Sequence, residues 1–526
     1  MSGSTKPVVI ISSAAVTCLL LIGALSQAAH SSEDGMQLSR NSACIAVNPR
    51  AAMSQDGQYL VALWIEGDAN DGNCKDRGAA VLRWAAWNNT TYSWSQPVVV
   101  GEGATDRRCV AFADVDIQNG AAHIALALQN PCVPDTGERA DVFIRYLNYP
   151  LAGNNPGSPS DPDDPAPLVY DFQTQNSYPS SIQIAASDDP NKPYVVYGTE
   201  QGEVFYVRRN ETPLGSPNQL TQGVIPEGDT QDRPSFKPQI AYAEGRVHFL
   251  WEARLPTGNG ERKNGYPVYR YCTDGLGTCS TAVNLETEGE HLGTYPSPFL
   301  DAYNTRLIAG WQRCAAPSYP CPKFQILYTR VEDNGDTFID RTHPYAVQVG
   351  SDQPRDNSGY ASTDEPSRIY RARLQPSLTL DNSGLPYVAW QVADGSNQQH
   401  FITTTLATDE TPSNFSWARL PGLEHRDTSH DHVKPAILVP PSDRDPGQDP
   451  DFQGLHLFYM RGDTDESPAY DIYYSYLQEI DPNATPEVSP SADISPSPSP
   501  TTTPTAWVPS EDDTFVYLPL IMRGAR

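Results

Sequence analysis

The chain has 526 residues, with 64 Asp or Glu against 36 Lys or Arg, and its formal net charge is −28. So acidic a protein is not a nucleic-acid binder, because binding to phosphates needs a basic surface. We expect the charge to keep the protein soluble, and a chain of this length can bury a large core.

The first predicted element is a signal peptide at residues 1–28. Lys6 precedes an uncharged apolar stretch, Pro7–Leu25, and Ser26-Gln-Ala28 places small residues at the −3 and −1 positions. This order predicts export with cleavage after Ala28. An uncleaved membrane anchor is the alternative, since the stretch approaches the length that spans a bilayer.

Residues 29–480 contain a short apolar run that recurs in seven copies, the best of which end in Trp. The closing residues are Trp64, Leu126, Tyr197, Trp251, Trp311, Trp390 and Tyr459. Their spacing runs from about 54 to about 79 residues, which predicts one sheet per repeat with loops of unequal length. We therefore predict an all-β fold, a seven-bladed β-propeller of four-stranded antiparallel blades. The tryptophans are expected to pack between blades.

Further strands are predicted in the same order within each repeat. Proline, which has no N–H for a sheet ladder, is expected at the first residue of the first strand at Pro49, Pro238, Pro298, Pro376 and Pro435. Third strands are predicted at Ala79–Trp87, Asp141–Tyr149, Glu203–Asn210, Tyr266–Cys272, Phe324–Val331, His400–Ala407 and Tyr470–Leu477. Fourth strands are predicted in six repeats, for example at Trp94–Gly101, Ala166–Phe172 and His343–Gly350.

The seventh repeat has no obvious fourth strand, because Leu477 is soon followed by Asp481-Pro-Asn-Ala-Thr-Pro486. A ring should not leave an unpaired sheet edge. We therefore predict that an N-terminal strand near Gly35–Arg40 closes the last blade. The alternative is a three-stranded last blade with an open edge.

The C-terminal part begins with residues 481–512, a Pro/Ser/Thr-rich segment predicted to be a disordered linker. The tail, residues 513–526, holds the apolar run Phe515–Met522 and ends in Arg523-Gly-Ala-Arg526. The run is too short to span a bilayer. The tail resembles the short "YLPL"-type endings of secreted proteins from some filamentous bacteria, which implies a sorting or envelope-retention signal. A last strand that pairs with a neighbouring blade is the alternative.

Eight cysteines remain when Cys18 of the signal peptide is set aside, and an even number suits an oxidising compartment. Two close pairs are predicted, Cys272–Cys279 and Cys314–Cys321. For the other four, loops that enter first strands and leave second strands share one face of a propeller, which favours Cys44–Cys74 and Cys109–Cys132. Cys44–Cys109 with Cys74–Cys132 is the alternative. The spacing does not predict a metal site.

Repeat five carries Val331-Glu-Asp-Asn-Gly-Asp-Thr-Phe338 between its third and fourth strands. This segment resembles the Asp box of the sialidase superfamily, S-x-D-x-G-x-T-W, with matches at Asp333, Gly335 and Thr337 and with Phe338 in place of Trp. The resemblance implies a sialidase-like propeller in which the box is structural, with Asp capping the turn. The chain departs from the family in lacking its Arg-Ile-Pro opening and in having seven predicted blades where sialidases have six.

A sialidase holds the sugar carboxylate with three arginines, so arginines that precede first strands are the matching candidates. They are Arg107, Arg108, Arg233, Arg371 and Arg373. Bidentate arginine contacts would suit a carboxylate clamp, whereas pairing with nearby acidic residues is the alternative. Three glutamates that follow second strands are the candidate carboxylates of the same face: Glu66, Glu200 and Glu252.

Other polar residues are predicted to be structural or solvated. His123, His248 and His456 recur at matching strand positions, which indicates a structural role and not a metal site. The Asp-rich segments Asp68–Gly72 and Asp443–Asp451 could bind Ca²⁺ through oxygen ligands, with plain solvated loops as the alternative. No other cofactor is expected.

Two classes of function fit these observations. The first is non-catalytic recognition of an extracellular glycan or protein through top-face loops, by a secreted or cell-surface monomer whose tail associates with the envelope. The second is a sialidase-like exo-glycosidase or polysaccharide lyase with a divergent active site at the pore. The missing catalytic signature favours the first.

Overall fold

The computed structural model describes residues 35–39, 46–54, 57–67, 78–87, 92–101, 109–130, 141–151, 170–174, 179–189, 192–199, 202–208, 218–221, 223–224, 234–254, 264–273, 278–285, 293–294, 298–303, 306–314, 324–332, 337–338, 345–347, 377–380, 386–393, 400–411, 414–419, 430–438, 455–463 and 470–477. These ranges contain strands and turns and no helix. The described residues therefore include no helix that is long and apolar enough to cross a membrane.

The described strands form seven antiparallel sheets, one for each predicted repeat. The first strand along the chain, β1 (Met36–Gln37), belongs to the last sheet. Sheet 1 contains β2 (Ala46–Met53), β3 (Tyr59–Gly67), β4 (Gly78–Trp87), β5 (Tyr92–Trp94) and β6 (Val98–Gly101). Sheet 2 contains β7 (Cys109–Gln118), β8 (Ala121–Asn130), β9 (Asp141–Pro150) and β10 (Tyr170–Thr174).

The next two sheets have the same order. Sheet 3 contains β11 (Pro179–Ala185), β12 (Tyr194–Thr199), β13 (Val204–Arg208) and β14 (Asn218–Gln219). Sheet 4 contains β15 (Ser235–Ala243), β16 (Arg246–Arg254), β17 (Asn264–Thr273), β18 (Val283–Asn284) and β19 (Gly293–Thr294).

Three sheets complete the described chain. Sheet 5 contains β20 (Phe299–Tyr303), β21 (Arg306–Cys314), β22 (Phe324–Glu332), β23 (Thr337–Phe338) and β24 (Tyr345–Val347). Sheet 6 contains β25 (Ser377–Leu380), β26 (Pro386–Ala393), β27 (His400–Thr411) and β28 (Asn414–Arg419). Sheet 7 contains β29 (His430–Leu438), β30 (Leu455–Asp463), β31 (Tyr470–Leu477) and β1.

The second strands carry the predicted apolar runs and are buried almost throughout, as β3 and β16 show. Burial without alternation means that both faces of the strand are covered. One face packs on the preceding sheet: Trp64 lies in a cluster with Phe458 of sheet 7, and Trp311 lies in a cluster with Leu250 of sheet 4. The prediction that the closing tryptophans pack between sheets is therefore confirmed for Trp64 and Trp311.

The first strands correct one prediction about proline. Pro298 and Pro376 stand directly before β20 and β25, but Pro49, Pro238 and Pro435 lie inside β2, β15 and β29 and do not open them. In each of these three strands the register to the second strand shifts at the proline. A β-bulge leaves one residue out of the ladder, so it tolerates the missing N–H as well as a strand start does.

The first strands also lie next to one another. β2 contacts β7, and contacts continue through β11, β15, β20 and β25 to β29, which contacts β2 again. Each first strand is an edge strand of its sheet. These contacts therefore place the first-strand edge of every sheet, which we call its inner edge, beside the inner edges of two other sheets. The groups on these inner edges are therefore the ones that can meet across sheets.

The N-terminal segment is built into the last sheet. Met36 and Gln37 pair with Tyr474 and Tyr473 of β31. The next residue continues the attachment, since the Leu38 N–H donates to the Ile472 carbonyl at 2.7 Å. Gly35 has a φ of +65°, and a β-carbon at this position would collide with the Tyr459 hydroxyl. The predicted strand near Gly35–Arg40 therefore has a counterpart at this edge.

Candidate functional site

Two aspartates on the inner edge of sheet 2 connect it to sheet 3. The Ile184 N–H donates to Asp114 Oδ2 at 2.9 Å, and the Ala186 N–H donates to Asp116 Oδ2 at 2.7 Å. Asp116 Oδ1 also accepts the Ile117 N–H at 2.8 Å. β11 is the edge strand of sheet 3, so its outward N–H groups have no neighbouring strand to pair with. The Asp114 and Asp116 side chains accept hydrogen bonds from two N–H groups at this edge.

The same connection recurs around the inner edge. Asp301 of sheet 5 accepts hydrogen bonds from the Thr379 side chain and the Leu380 N–H of sheet 6. Ser377 of sheet 6 accepts the Ile437 N–H of sheet 7 at 3.1 Å. We call Asp114, Asp116 and Asp301 the axial carboxyls. Their shared role is to join the first strands of consecutive sheets.

Burial dominates the electrostatics of the axial carboxyls. Desolvation raises the pKa of Asp114 to about 7, although the Arg50 guanidinium, with Nε at 3.5 Å from Oδ1, works in the opposite direction. Burial also raises the pKa values of Asp116 and Asp301. Asp116 itself raises the pKa of Asp301, although they lie in sheets 2 and 5. The two carboxyls therefore interact electrostatically, although neither their strands nor their sheets are consecutive in the chain.

Asp114→Asn is expected to raise the free energy of unfolding at pH 8 by about 1 to 3 kcal/mol. The folded pKa lies above the ordinary value of 3.8, so the carboxyl's contribution to stability is present at low pH and is lost as the pH rises through about 7. The amide keeps an oxygen acceptor for the Ile184 N–H and carries no charge. Urea unfolding at pH 8 and at pH 4 measures the effect.

Asp114→Ala is the matched control, because it leaves the Ile184 N–H without its acceptor. We expect this variant to lose about 1 to 3 kcal/mol at pH 4, and to lose less at pH 8, because there it also removes the buried charge. If Asp114→Asn instead lowers the free energy of unfolding at pH 8, the charge itself stabilises the fold.

A second cluster lies where β15 begins and β16 ends; we call Lys237, Glu252 and Arg254 the Glu252 cluster. Glu252 is 1% exposed. Its Oε1 lies 2.6 Å from Arg254 Nε, and its Oε2 lies 3.5 Å from Lys237 Nζ. The Arg254 guanidinium also lies over the Phe236 ring at 3.8 Å from the centroid. Two cations and one anion leave the cluster with a net positive charge.

The chain places Lys237 in this cluster by means of a bulge. The register of β15 to β16 shifts between Phe236 and Gln239, and Lys237 has a φ of 48°. Positive φ is uncommon for a residue other than Gly or Asn and costs about 1 kcal/mol or more. The bulge removes Lys237 from the ladder, and Pro238 has no N–H that the ladder would miss.

Glu66 is held in a different way. It is fully buried in β3, and Trp64 Nε1 donates to its Oε1 at 3.0 Å. Glu66 pairs in register with Ala46, and Glu252 pairs with Phe236, so both lie at the end of a second strand. They belong to sheets 1 and 4, which are not neighbours, and the structure does not bring them together.

The other predicted binding residues fall outside the described ranges: Arg107, Arg108, Arg233, Arg371, Arg373 and Glu200. In the segment that resembles an Asp box, Thr337 and Phe338 form β23 and pair with Glu332 and Val331 of β22. The segment therefore connects a third strand to a fourth, as predicted, while Asp333 and Gly335 lie outside the described residues.

The predicted Cys272–Cys279 disulfide is formed. Cys109 is buried at the start of β7, but both of its predicted partners, Cys44 and Cys132, lie outside the described residues, as do Cys74 and Cys321. Among the described residues no group of three or more His, Cys, Asp or Glu could hold a metal ion. The Asp-rich segments Asp68–Gly72 and Asp443–Asp451 lie outside the described residues.

Sequence reasoning missed the axial carboxyls, Lys237 and Arg254. A signal for two of them was present, since Asp114 and Asp116 stand two residues apart and alternate with the apolar residues Ala113, Val115 and Ile117 of β7. Side chains two apart share one face of a strand, and charged groups on a buried face need partners. That pattern could have predicted a connection to the neighbouring sheet.

No protein-family model matches the chain, and no curated protein matches it either. Among solved structures, the chain is similar to Trypanosoma rangeli sialidase, with 8% identity and a TM-score of 0.40 over 85% of this chain and 59% of that chain. It is also similar to the NanB sialidase of Streptococcus pneumoniae, with 9% identity and a TM-score of 0.40 over 84% of this chain and 70% of that chain. An α-L-arabinanase of Penicillium chrysogenum gives 11% identity and a TM-score of 0.41 over 84% of this chain and 97% of that chain.

Proposed function

We propose that the seven sheets are blades of one closed β-propeller and that β1 completes the last blade. The support is the unbroken series of first-strand contacts from β2 to β29 and back to β2. The pairing of Met36 with Tyr474 supplies the edge that sheet 7 would otherwise leave open. In this arrangement the axial carboxyls surround the central axis.

We propose that the protein is a recognition scaffold that binds a glycan or a protein. The face where first strands begin and second strands end, the top face, would carry the ligand on its loops. The observation that supports this reading is that the candidate carboxylate Glu252 already forms ion pairs within the protein, through Oε1 with Arg254 and through Oε2 with Lys237. The other candidate, Glu66, likewise accepts a hydrogen bond from Trp64 Nε1. A glycosidase needs two carboxyls about 5 to 10 Å apart that face the substrate.

A second function has one observation in its favour. Asp114 has a pKa raised to about 7 by burial, which is the range of a general acid in glycoside hydrolysis. A glycosidase or polysaccharide lyase that acts at the central axis would use such a group. Both oxygens of Asp114 already interact with Ile184 and Arg50, so we place this function second.

The expected result of a direct assay is binding without turnover. Purified protein lacking residues 1–28 would be applied to a glycan array and incubated with a panel of fluorogenic glycosides and with acidic polysaccharides. Turnover that is lost in Asp114→Asn or Arg233→Ala would contradict the recognition function and support the enzyme. Binding that survives Asp114→Asn, with no turnover of any substrate, would support recognition.

We also propose that the protein acts outside the cytoplasm. The Cys272–Cys279 disulfide suits an oxidising compartment, in line with the proposed signal peptide at residues 1–28. Envelope association through residues 513–526 and a monomeric state belong to the same proposal. We propose no cofactor, with Ca²⁺ in the Asp-rich loops as the alternative.

A further inference from the structure

Three sheets contain the same buried pair of side chains. In sheets 2, 4 and 7 a histidine of the second strand places its Nδ1 within 2.7, 2.8 and 2.9 Å of a tyrosine hydroxyl of the third strand. The pairs are His123 with Tyr146, His248 with Tyr269, and His456 with Tyr474. All three histidines are fully buried. The three pairs are also equivalent in register, because each tyrosine lies opposite the residue two positions after the histidine.

The pair in sheet 7 has a position that the other two lack. Tyr474 is the residue that pairs with Met36 of β1, so it belongs to the strand that holds the N-terminal segment. Its ring also lies 5.1 Å from that of Trp94 in sheet 1. Through Tyr474, the pair in sheet 7 therefore contacts both the N-terminal strand β1 and sheet 1.

His456 faces sheet 1. Side chains two apart share one face of a strand, and Phe458 and Met460 of β30 pack in one cluster with Leu38 and with Trp64 of sheet 1. His456 lies on that same face. The equivalent face of β8, which carries His123, packs instead on Ile182 and Tyr197 of sheet 3. We call the contact between sheets 7 and 1, including residues 35–39, the closing junction.

Few ionisable groups surround His456. Tyr476 lies opposite it on β31 with ring centroids 4.9 Å apart, and Tyr474 stacks at 5.9 Å. Its partner on β29 is Leu438. The buried charged group of sheet 1 is Glu66, which lies two residues from Trp64 on the same face of β3 and accepts the Trp64 Nε1 hydrogen bond. Two charged groups sit at the rim of the junction: Arg83 Nη1 donates to the Leu38 carbonyl at 3.0 Å, and Asp471 accepts from the Ser39 hydroxyl at 2.6 Å.

We propose that His456 makes the closing junction an acid-sensitive latch, which releases residues 35–39 and separates sheet 7 from sheet 1 when the pH falls. This inference rests on the closed ring proposed above. In the closed state the imidazole is neutral and enclosed. Opening exposes it to water, where it takes up a proton and cannot return to the junction without losing it.

The direction follows from linkage between protonation and opening. Burial lowers the pKa of His456 to about 3, against an ordinary value of 6.5. A histidine with a lowered folded pKa contributes its full stability above 6.5, and that contribution is lost as the pH falls from 6.5 toward 3. Each pH unit below 6.5 therefore favours the open state about 10-fold, which gives a population about 30-fold higher at pH 5 than at pH 7.

Hydrogen exchange of the full chain at pH 7, 6 and 5, corrected for the intrinsic pH dependence of exchange, tests the latch. Peptides that cover residues 35–39 and 470–477 report on the junction, and peptides from β8 report on sheet 2. We expect protection at the junction to fall about 30-fold between pH 7 and pH 5. In His456→Gln, whose side chain does not titrate, this fall should disappear.

His123→Gln is the matched control, because it removes an equivalent histidine that faces sheet 3. It should leave the pH dependence at the junction unchanged. Tyr474→Phe adds a second test that does not depend on the folding of His456→Gln: it removes the hydroxyl, weakens the junction at every pH, and keeps the pH dependence.

The outcomes separate the latch from the closed ring. Protection at residues 35–39 that is the same at pH 7 and pH 5, or a fall that persists in His456→Gln, overturns the latch and leaves the ring intact. Absence of protection at pH 7 overturns the closed ring and the latch together.

Discussion

Glu252→Ala should lower the free energy of unfolding by about 3 to 5 kcal/mol, because it leaves two buried cations without their carboxylate. Lys237 and Arg254 have side chains that are only 15% and 18% exposed, so water can replace the lost partner only in part. Lys237 would also keep a backbone with a φ of 48° without the ion pair that accompanies it. Chemical denaturation of the purified protein measures the loss.

Two variants make this result specific. Glu203→Ala removes a carboxylate of sheet 3 that accepts one weak hydrogen bond, from Gln219 Nε2 at 3.4 Å, and should change stability by about 0.5 kcal/mol or less. Glu252→Gln keeps the shape and one acceptor and should fall between the two. If Glu252→Ala and Glu203→Ala have equal effects, the ion pairs of the Glu252 cluster do not stabilise the fold.

Leu38→Ala should lower the free energy of unfolding by about 2 to 4 kcal/mol, through lost burial and an unfilled cavity. Leu38 is fully buried and packs in one cluster with Trp64 and Phe458, which come from opposite ends of the chain. The substitution weakens the only described segment that pairs with the outer edge of β31. We expect an earlier midpoint in urea unfolding and faster proteolysis ahead of β2.

Gln37→Ala is the control for this variant, since Gln37 keeps its backbone pairing with Tyr473 and only part of its side chain is buried. It should cost less than about 1 kcal/mol. A stability of Leu38→Ala equal to that of the unaltered chain would mean that the N-terminal segment contributes nothing to the junction.

The second and third strands could be predicted from the sequence because their signal is local. A buried strand between two sheets needs an apolar run, and Tyr59–Gly67 and Arg246–Arg254 contain such runs with Trp at the same place. The prolines show where local reasoning ended. Pro238 indicated the right strand, but its place inside a bulge depends on how β15 pairs with β16, which no short segment determines.

The candidate site was predicted only where its signal is local in the sequence. Glu252 was found because it follows a closing Trp in the chain, whereas Lys237 reaches it from the preceding strand by means of a positive φ. Asp114 and Asp301 act on backbone groups of the next sheet. Such partners are distant in sequence, and their distances are set by how the sheets pack.

Gly35 limits how the segment that pairs with β31 can be altered. Any larger residue would press on the Tyr459 hydroxyl, and the backbone there has a φ that side chains rarely adopt. For engineering, position 35 should therefore remain glycine, and a truncation that enters residues 35–39 would remove the contacts with β31.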